Sequence, residues 1–402
     1  MALNLIRSSR VFVTTNLVNG KIDLSATPAV AFDNTNTFEI QVQDGFSFTQ
    51  NTGTETVTLN EAGPAPIRGQ RSFNTSLEPV DWSFTAYMRP FYNEGATITA
   101  GPDANDVIDA EESILWGAMS SVTGSGWTQT AGASPSTQPF STVGFGASNA
   151  HQLQPFGLII VLENVTYVIH NCAVDSASID FGLDAIASVV WSGKGTEIAQ
   201  LSTKITLVDN NTLKTTAMTG SITGTAKLKN TAAQYIANKL STMSVTAVNV
   251  GGAASSQIYQ VALTGGNLTI NNNLTYLTPA NLGVVNTPIT YFTGTRAISC
   301  NVTAYLKSGG TSATNPDTAL LLKDLLAGSN SSDNTFNVEV SLGGNNPTKI
   351  VLAMPTSMLT IPTVTTEQVI STAITINPQG TTSSVYDVAA TNELTVKYYA
   401  AA

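Results

Sequence analysis

The strongest constraint on this 402-residue chain is a strand pattern that occurs twice. Residues 38–90 open with two strand patterns, pass through a long polar excursion and close on a third strand. Residues 258–308 repeat that order in degraded form. In the first copy Phe38, Ile40 and Val42 alternate with Glu39, Gln41 and Gln43, the period-two signature of a half-buried strand. Asp44-Gly45 is a tight-turn dipeptide, and Phe46 and Phe48 begin the return strand. Residues 50–70 are polar, rich in Gly and Pro, and contain Thr56-Val57-Thr58-Leu59, which predicts an extended hairpin projecting from the core. In the closing strand Trp82, Phe84, Ala86 and Met88 share one face, and Ser83, Thr85, Tyr87 and Arg89 share the other.

The second copy aligns without a gap at an offset of 222 from Leu268 to Ile289, pairing Phe46 with Leu268, Phe48 with Ile270 and Asn51 with Asn273. Thr303-Ala304-Tyr305-Leu306-Lys307 then matches Thr85-Ala86-Tyr87-Met88-Arg89, and Met243–Val245 stands where Val11–Val13 stood. A helix is expected over 109–116, with Asp109 as N-cap and acids in its first turn, and again over 317–326. Pro378-Gln379-Gly380 takes the place of Gly193-Lys194-Gly195. The expected fold is therefore mainly β (α+β), with two tandem homologous β-rich domains, each carrying one helix. The first covers 1–202, a hairpin connector 203–229 turns near Asp209-Asn210-Asn211, and the second covers 230–402 with a C-terminal tail. Residues 122–150, rich in Gly, Ser and Thr with Trp127, Phe140 and Phe145, read as a surface insertion that the second copy lacks.

Composition narrows the function. Charged residues make up 11%, against roughly a quarter in an average soluble domain, which suits sheets with polar turns. The net charge of −10 is unevenly shared: residues 1–201 hold 19 acids and 7 bases, and residues 202–402 hold 8 and 10. An acidic first half argues against clamping nucleic acid. Cys172 and Cys300 are expected to be buried free thiols. No leader pattern opens the sequence and no apolar run reaches about 18 residues, so a cytoplasmic origin and no membrane segment are expected.

No catalytic constellation emerges, and no enzyme, metal or cofactor is expected. His151 falls in a loop-like stretch, and His170 beside Cys172 lacks further ligands for zinc. Residues 103–109 imitate the start of a calcium loop without its glycine and closing glutamate. Gly193-Lys194-Gly195 is too short to cradle phosphate. The polar faces Thr85/Tyr87/Arg89 and Thr303/Tyr305/Lys307 keep one order, consistent either with a solvent face or with the lining of something that repeated copies share.

The run NTFEIQVQDGFSFTQNTGTETVTLNEAG from Asn36, RGQRSFNTSLEPVDWSFTAYMRP from Arg68 and WSGKGTEI from Trp191 resemble the tail tube proteins of long-tailed bacteriophages. The resemblance implies that each domain is a tail-tube-like β-sandwich or half-barrel with one flanking helix, with six units per ring, inner sheets joined into one barrel, and rings stacked into a hollow tube through which viral DNA passes without specific binding. With two tube domains per chain, it implies a homotrimeric, pseudo-sixfold ring in the virion tail. Partners would be further copies and other tail proteins: a sheath if the tail contracts, baseplate or tip, terminator and tape measure. The excursions would reach the neighbouring ring, through Asn51, Thr54, Glu55, Thr56, Asn60, Glu61, Arg68 and Arg71, and in the second copy through Asn273, Tyr276, Asn281 and Arg296. Strand parity makes Glu39, Gln41, Gln43 and Asp44 the lumen-facing candidates, and acidic walls would repel phosphates. The alternative is a tandem β-sandwich adhesin that binds glycans or receptors through the aromatic residues of 122–150.

Overall fold

The computed structural model describes the chain apart from residues 1–8, 24–31, 33–35, 58–69, 94–106, 122–125, 131–133, 142–151, 163–164, 202–204, 209–211, 218–219, 226–233, 250–256, 309–316, 328–334, 361–362, 366–368, 381–391 and 401–402. The first half contributes β1 (Arg10–Thr14), β2 (Leu17–Val18), β3 (Lys21–Ile22), β4 (Thr37–Ile40), β5 (Ser47–Val57), β6 (Arg71–Tyr87), β7 (Pro90–Asn93), β8 (Val107–Ala110), α1 (Ser113–Ser120), β9 (Ser136–Ser141), β10 (Phe156–Val161), β11 (Thr166–Asp180), β12 (Ser188–Gly195) and β13 (Glu197–Leu201). Three strands follow in the middle: β14 (Ile205–Val208), β15 (Thr212–Ala217) and β16 (Gly220–Thr225). The second half contributes β17 (Thr242–Asn249), β18 (Ile258–Asn271), β19 (Leu274–Leu277), β20 (Thr290–Thr293), β21 (Ala297–Tyr305), α2 (Thr318–Ala327), β22 (Thr335–Leu342), β23 (Lys349–Leu359), β24 (Thr363–Thr365), β25 (Ser371–Pro378) and β26 (Asn392–Tyr399).

The second half closes into a six-stranded barrel: β17–β18–β21–β25–β23–β22 and back to β17. The first half traces the same circuit, β1–β4–β6–β12–β11–β10 and back to β1. There β4 reaches β6 through the single bridge Val42↔Ala86, and β5 takes over the pairing with β6 from Ser47 onward. The pair β4 and β5 thus does the work of the one continuous strand β18. Alternation explains the barrels. Val80, Trp82, Phe84 and Ala86 of β6, and Met88 just beyond its end, point inward and are buried, and each large apolar side chain so removed from water contributes about 1.5–3 kcal/mol. One hydrophobic core cluster runs through both halves.

The helices differ from the sequence expectation in an instructive way. Asp317 does cap α2, its Oδ1 accepting the Leu320 N–H at 3.1 Å. Asp109 does not cap α1. It lies in β8, where its carboxylate accepts the N–H of Ala110, and α1 begins after Glu112 with no acid in its first turn. The middle segment is a three-stranded meander rather than a hairpin.

Nor are residues 122–150 a mere surface insertion. Strand β9 pairs with β26, which in turn pairs with β23, so this stretch receives the last described strand of the chain. Phe140 is buried beside Trp116, and Trp127 lies 5.2 Å from the Tyr398 ring. Phe140 is buried and Trp127 half-buried against the core, so these rings pack the seam between the halves instead of standing free on a surface insertion; Phe145 lies outside the described residues.

Candidate assembly surfaces

The two barrels share a sheet. The end of β11 pairs antiparallel with the end of β18: Ser176↔Asn271, Ala177↔Ile270, Ser178↔Thr269, Ile179↔Leu268 and Asp180↔Asn267. Strands β5, β6, β12, β11, β18, β21 and β25 thereby form one continuous surface across the chain. One side of that surface covers the barrel cores. The other carries mostly hydroxyls and amides, with the exposed Val190 and Tyr305 among them. Ser47 faces Ser83 at 2.9 Å, Ser176 faces Ser192 at 2.7 Å, and the Thr375 hydroxyl donates to the Asn301 side-chain oxygen Oδ1 at 2.9 Å. Lys194 on this face is held by Asp81 at 2.6 Å.

The joint is locked from the second half. Asn272 donates its amide to the carbonyls of Met119 and Val174, both at 3.1 Å, and the Leu274 N–H donates to Asp175 at 2.8 Å. Beyond Asn273, whose φ is +51°, the chain bends over the first barrel. Leu274 and Tyr291 bury against Leu153 and Ala173, with Tyr276 packed beside them. The Tyr291 hydroxyl donates to the Leu153 carbonyl at 2.6 Å. The Tyr276 hydroxyl faces the carbonyls of Asn171 and Lys194, both at 2.9 Å, with one proton to share. Burial raises both phenol pKa values, so both remain donors at any ordinary pH. The second excursion also hydrogen-bonds the first hairpin, Leu77 N–H to the Asn286 carbonyl at 2.7 Å and Asn286 N–H to the Thr75 carbonyl at 3.2 Å.

The residues singled out from sequence distribute unevenly. Asn51, Thr54, Glu55, Thr56 and Arg71 are exposed along the β5–β6 hairpin, whose longer strand spans about 55 Å at ~3.3 Å per residue. Asn60, Glu61 and Arg68 lie outside the described residues. Asn273 donates to the Thr295 carbonyl at 2.6 Å, and Tyr276 is committed to the joint. The Asn281 N–H donates to the Asn286 side chain, next to the exposed Leu282, Val284 and Val285. Arg296 binds Glu393 at 3.2 Å and covers the Phe140 ring, a staple between the halves.

Among the lumen candidates, Glu39 is buried and forms a bidentate pair with Arg10 at 2.6 and 2.7 Å. Gln41 accepts from Arg89. Gln43 is half-buried, its N–H donating to the Thr85 carbonyl, and Asp44 is exposed at its turn. Arg89 leaves the polar face after Tyr87, where β6 ends; it is buried 3.5 Å from Glu111 and 4.4 Å from the Tyr235 ring. Four acids of the first half, Glu39, Asp109, Glu111 and Glu112, are buried, so its negative balance is not simply a surface property.

The remaining chemical candidates have structural roles. His170 Nδ1 accepts the Ile22 N–H at 3.1 Å, and burial lowers its pKa. His151 and residues 103–106 lie outside the described residues. Cys172 and Cys300 are buried free thiols, the latter pushed up to about 12 by burial. Gly193 needs to be glycine for packing: a Cβ there would sit 2.2 Å from the Ala173 carbonyl oxygen and 2.4 Å from Trp82. Sequence reasoning missed the joint residues Asn272, Leu274 and Tyr291, whose meaning depends on a partner strand about 100 positions away.

No protein-family model matches the chain. Tail tube protein pb6 of Escherichia phage T5 is 31% identical over 385 residues, which cover 93% of this chain and 72% of that protein. At that identity and coverage, the chain belongs to the phage tail tube proteins.

Proposed function

We propose that this chain assembles into trimeric rings with pseudo-sixfold symmetry, and that stacked rings form the conduit through which viral DNA is ejected. Membership of the tail tube proteins places it in the virion tail as a structural component that assembles with itself and other tail proteins. The observation that carries the finer reading is the β11–β18 joint. Two copies of one barrel circuit already stand edge to edge in one chain, with one sheet passing through both. Repeating that step around a closed ring fills six positions with three chains.

The hydroxyl and amide face of the shared sheet lines the bore in this reading. Ser83, Thr85, Ser178, Thr269 and Asn301 lie along it, and the Lys194 charge is compensated by Asp81. Such a wall offers phosphates little cationic purchase, and DNA slides without adhering. The exposed hairpin residues Asn51, Thr54, Glu55, Thr56 and Arg71 contact the next ring, together with the apolar tip Leu282, Val284 and Val285, and the exposed Asp44 remains the lumen-facing acid. The terminal-ring, tip and tape-measure proteins, and a sheath where the tail contracts, are the remaining partners, and the chain has no catalytic role. Synthesis takes place in the host cytoplasm. Purified chain examined by electron microscopy and native mass measurement tests this. Tubes of uniform bore built from three-chain rings are expected. Rings of six chains, or lone particles at high concentration, overturn it.

A further inference from the structure

The joint inside the chain has a free counterpart at each end. Matching hydrogen-bond registers around the two circuits gives the equivalences. Phe48↔Trp82 in the first barrel corresponds to Leu268↔Cys300 in the second, so β5 maps onto β18 at +220 and β6 onto β21 at +218. Ser178↔Val190 and Asp180↔Ser188 correspond to Thr363↔Ala373 and Thr365↔Ser371, so β11 maps onto β23 and β24 at +185. Phe156↔Cys172 and Phe336↔Ser357 give the same +185 independently.

These offsets place the exposed surface of the chain opposite its buried joint. Phe73 occupies the position of Tyr291, Met358 that of Ala173, and Val364 that of Ile179. Tyr291, Ala173 and Ile179 are 6%, 0% and 0% exposed; Phe73, Met358 and Val364 are 49%, 48% and 40% exposed. Among the described residues, β5 pairs only with β6, and β24 only with β25. Each therefore presents an open strand edge, a template for another strand.

We propose that neighbouring chains join by repeating the internal joint: β5 of one copy adds beside β24 of the next in the register Ser47↔Thr365, Phe48↔Val364 and Thr49↔Thr363, and Phe73 seats on Met358. This rests on the ring reading above and supplies its missing interface. The hairpin has the means to bend as the second copy does. Gly53 stands where Asn273 adopts a φ of +51°, a conformation glycine enters without penalty. The β5–β6 register already shifts on either side of it, between Gln50 and Thr52 and between Gly53 and Thr54. An aromatic ring meeting a flexible thioether in a strand-extended joint is an adaptable contact.

The test is a Thr49→Cys/Thr363→Cys double variant under mild oxidation. Opposed strand positions lie about 4.5–5.5 Å apart, within disulfide reach. Covalent dimers and trimers on a denaturing gel are expected, closing at three chains, while Ser178→Cys/Thr269→Cys, the same positions inside the chain, links without gain in mass. Covalent dimers from Thr49→Cys alone would mean β5 pairs with itself and overturn the proposal. Tubes that assemble with the Thr49/Thr363 pair still reduced overturn this joint and leave the tube reading standing; absence of rings from the unmodified chain overturns both. Phe73→Ala is an independent arm. It leaves the melting of the unassembled chain unchanged and raises the concentration for half-assembly at least about tenfold; an unchanged threshold overturns the seating of Phe73.

Discussion

Glu112 offers the sharpest quantitative test of the way the halves are fastened. Its carboxyl is fully buried at the start of α1, and the Tyr398 hydroxyl of the last described strand donates to it at 2.5 Å. The Trp116 indole donates to the same tyrosine oxygen at 2.9 Å, so one helical turn of the first barrel holds the end of the second. Burial raises the Glu112 pKa from 4.5 to about 8, outweighing the lowering effect of the Tyr398 hydrogen bond. The sign follows from proton counts. Below 4.5 both folded and unfolded chains hold the proton and the fold carries no penalty. Between 4.5 and about 8 the unfolded chain releases it and the folded chain keeps it, so stability falls as pH rises. Each pH unit in that window costs ~1.4 kcal/mol, or about 3 kcal/mol by pH 7 and about 5 kcal/mol once the folded carboxyl ionises. Glu112→Gln retains an oxygen to accept from Tyr398 and cannot ionise. Urea unfolding of the parent and variant at pH 5, 6, 7 and 8 should give curves that nearly coincide at pH 5 and diverge to about 3 kcal/mol at pH 7 in favour of the glutamine. Parallel pH profiles would refute the reasoning, because they would mean that Glu112 titrates as it does in the unfolded chain.

Gly193→Ala should destabilise the first barrel by about 1–3 kcal/mol, since the added methyl meets the Ala173 backbone oxygen as well as Trp82; thermal unfolding checks this. Tyr291→Phe should cost about 1–2 kcal/mol through the orphaned Leu153 carbonyl, and Tyr291→Ala about 3–5 kcal/mol through the lost ring. Limited proteolysis of both variants should show cutting near the seam before either barrel opens.

The sequence carried the barrels far better than their connections. Inward-facing Trp82, Phe84, Ala86 and Met88 were legible from alternation alone, and the equation of Val11–Val13 with Met243–Val245 agrees with the pairing of each strand to its neighbours. The gapless offset of 222 was two residues out. It set Phe46 against Leu268, whereas the hydrogen-bond register sets Phe48 there. Such an error is invisible to periodicity, because a slip of two leaves every side chain on the same face. It arose because the first copy interrupts between β4 and β5 the strand that β18 runs through. Asp109 misled for another reason: β8 continues through it, and the chain turns at Glu111-Glu112 before α1 starts. Residues 122–150 looked like a surface insertion because their partner, β26, lies about 250 positions away, beyond the reach of any local pattern.

These connections explain why a duplicated chain need not behave as two loose copies. The internal seam has fastenings that the proposed joint between chains lacks: the β9–β26 pairing, the Arg296–Glu393 staple over Phe140, and the Glu112–Tyr398–Trp116 cluster. All three depend on β26 or on residues that touch it. The sheet extension and the aromatic contact of the excursion are the parts that a second chain could reproduce with β5, β24, Phe73 and Met358. The two kinds of seam should therefore differ in strength. One forms when the chain folds and costs no translational freedom; the other forms at a concentration that must offset that loss. In the proposed ring a barrel pair fastened in this way would enter as one block, and three such blocks would fill six barrel positions. Shortening the chain before β26 should move the internal seam toward the weaker kind, since the edge pairing of β11 with β18 would remain while its fastenings were removed.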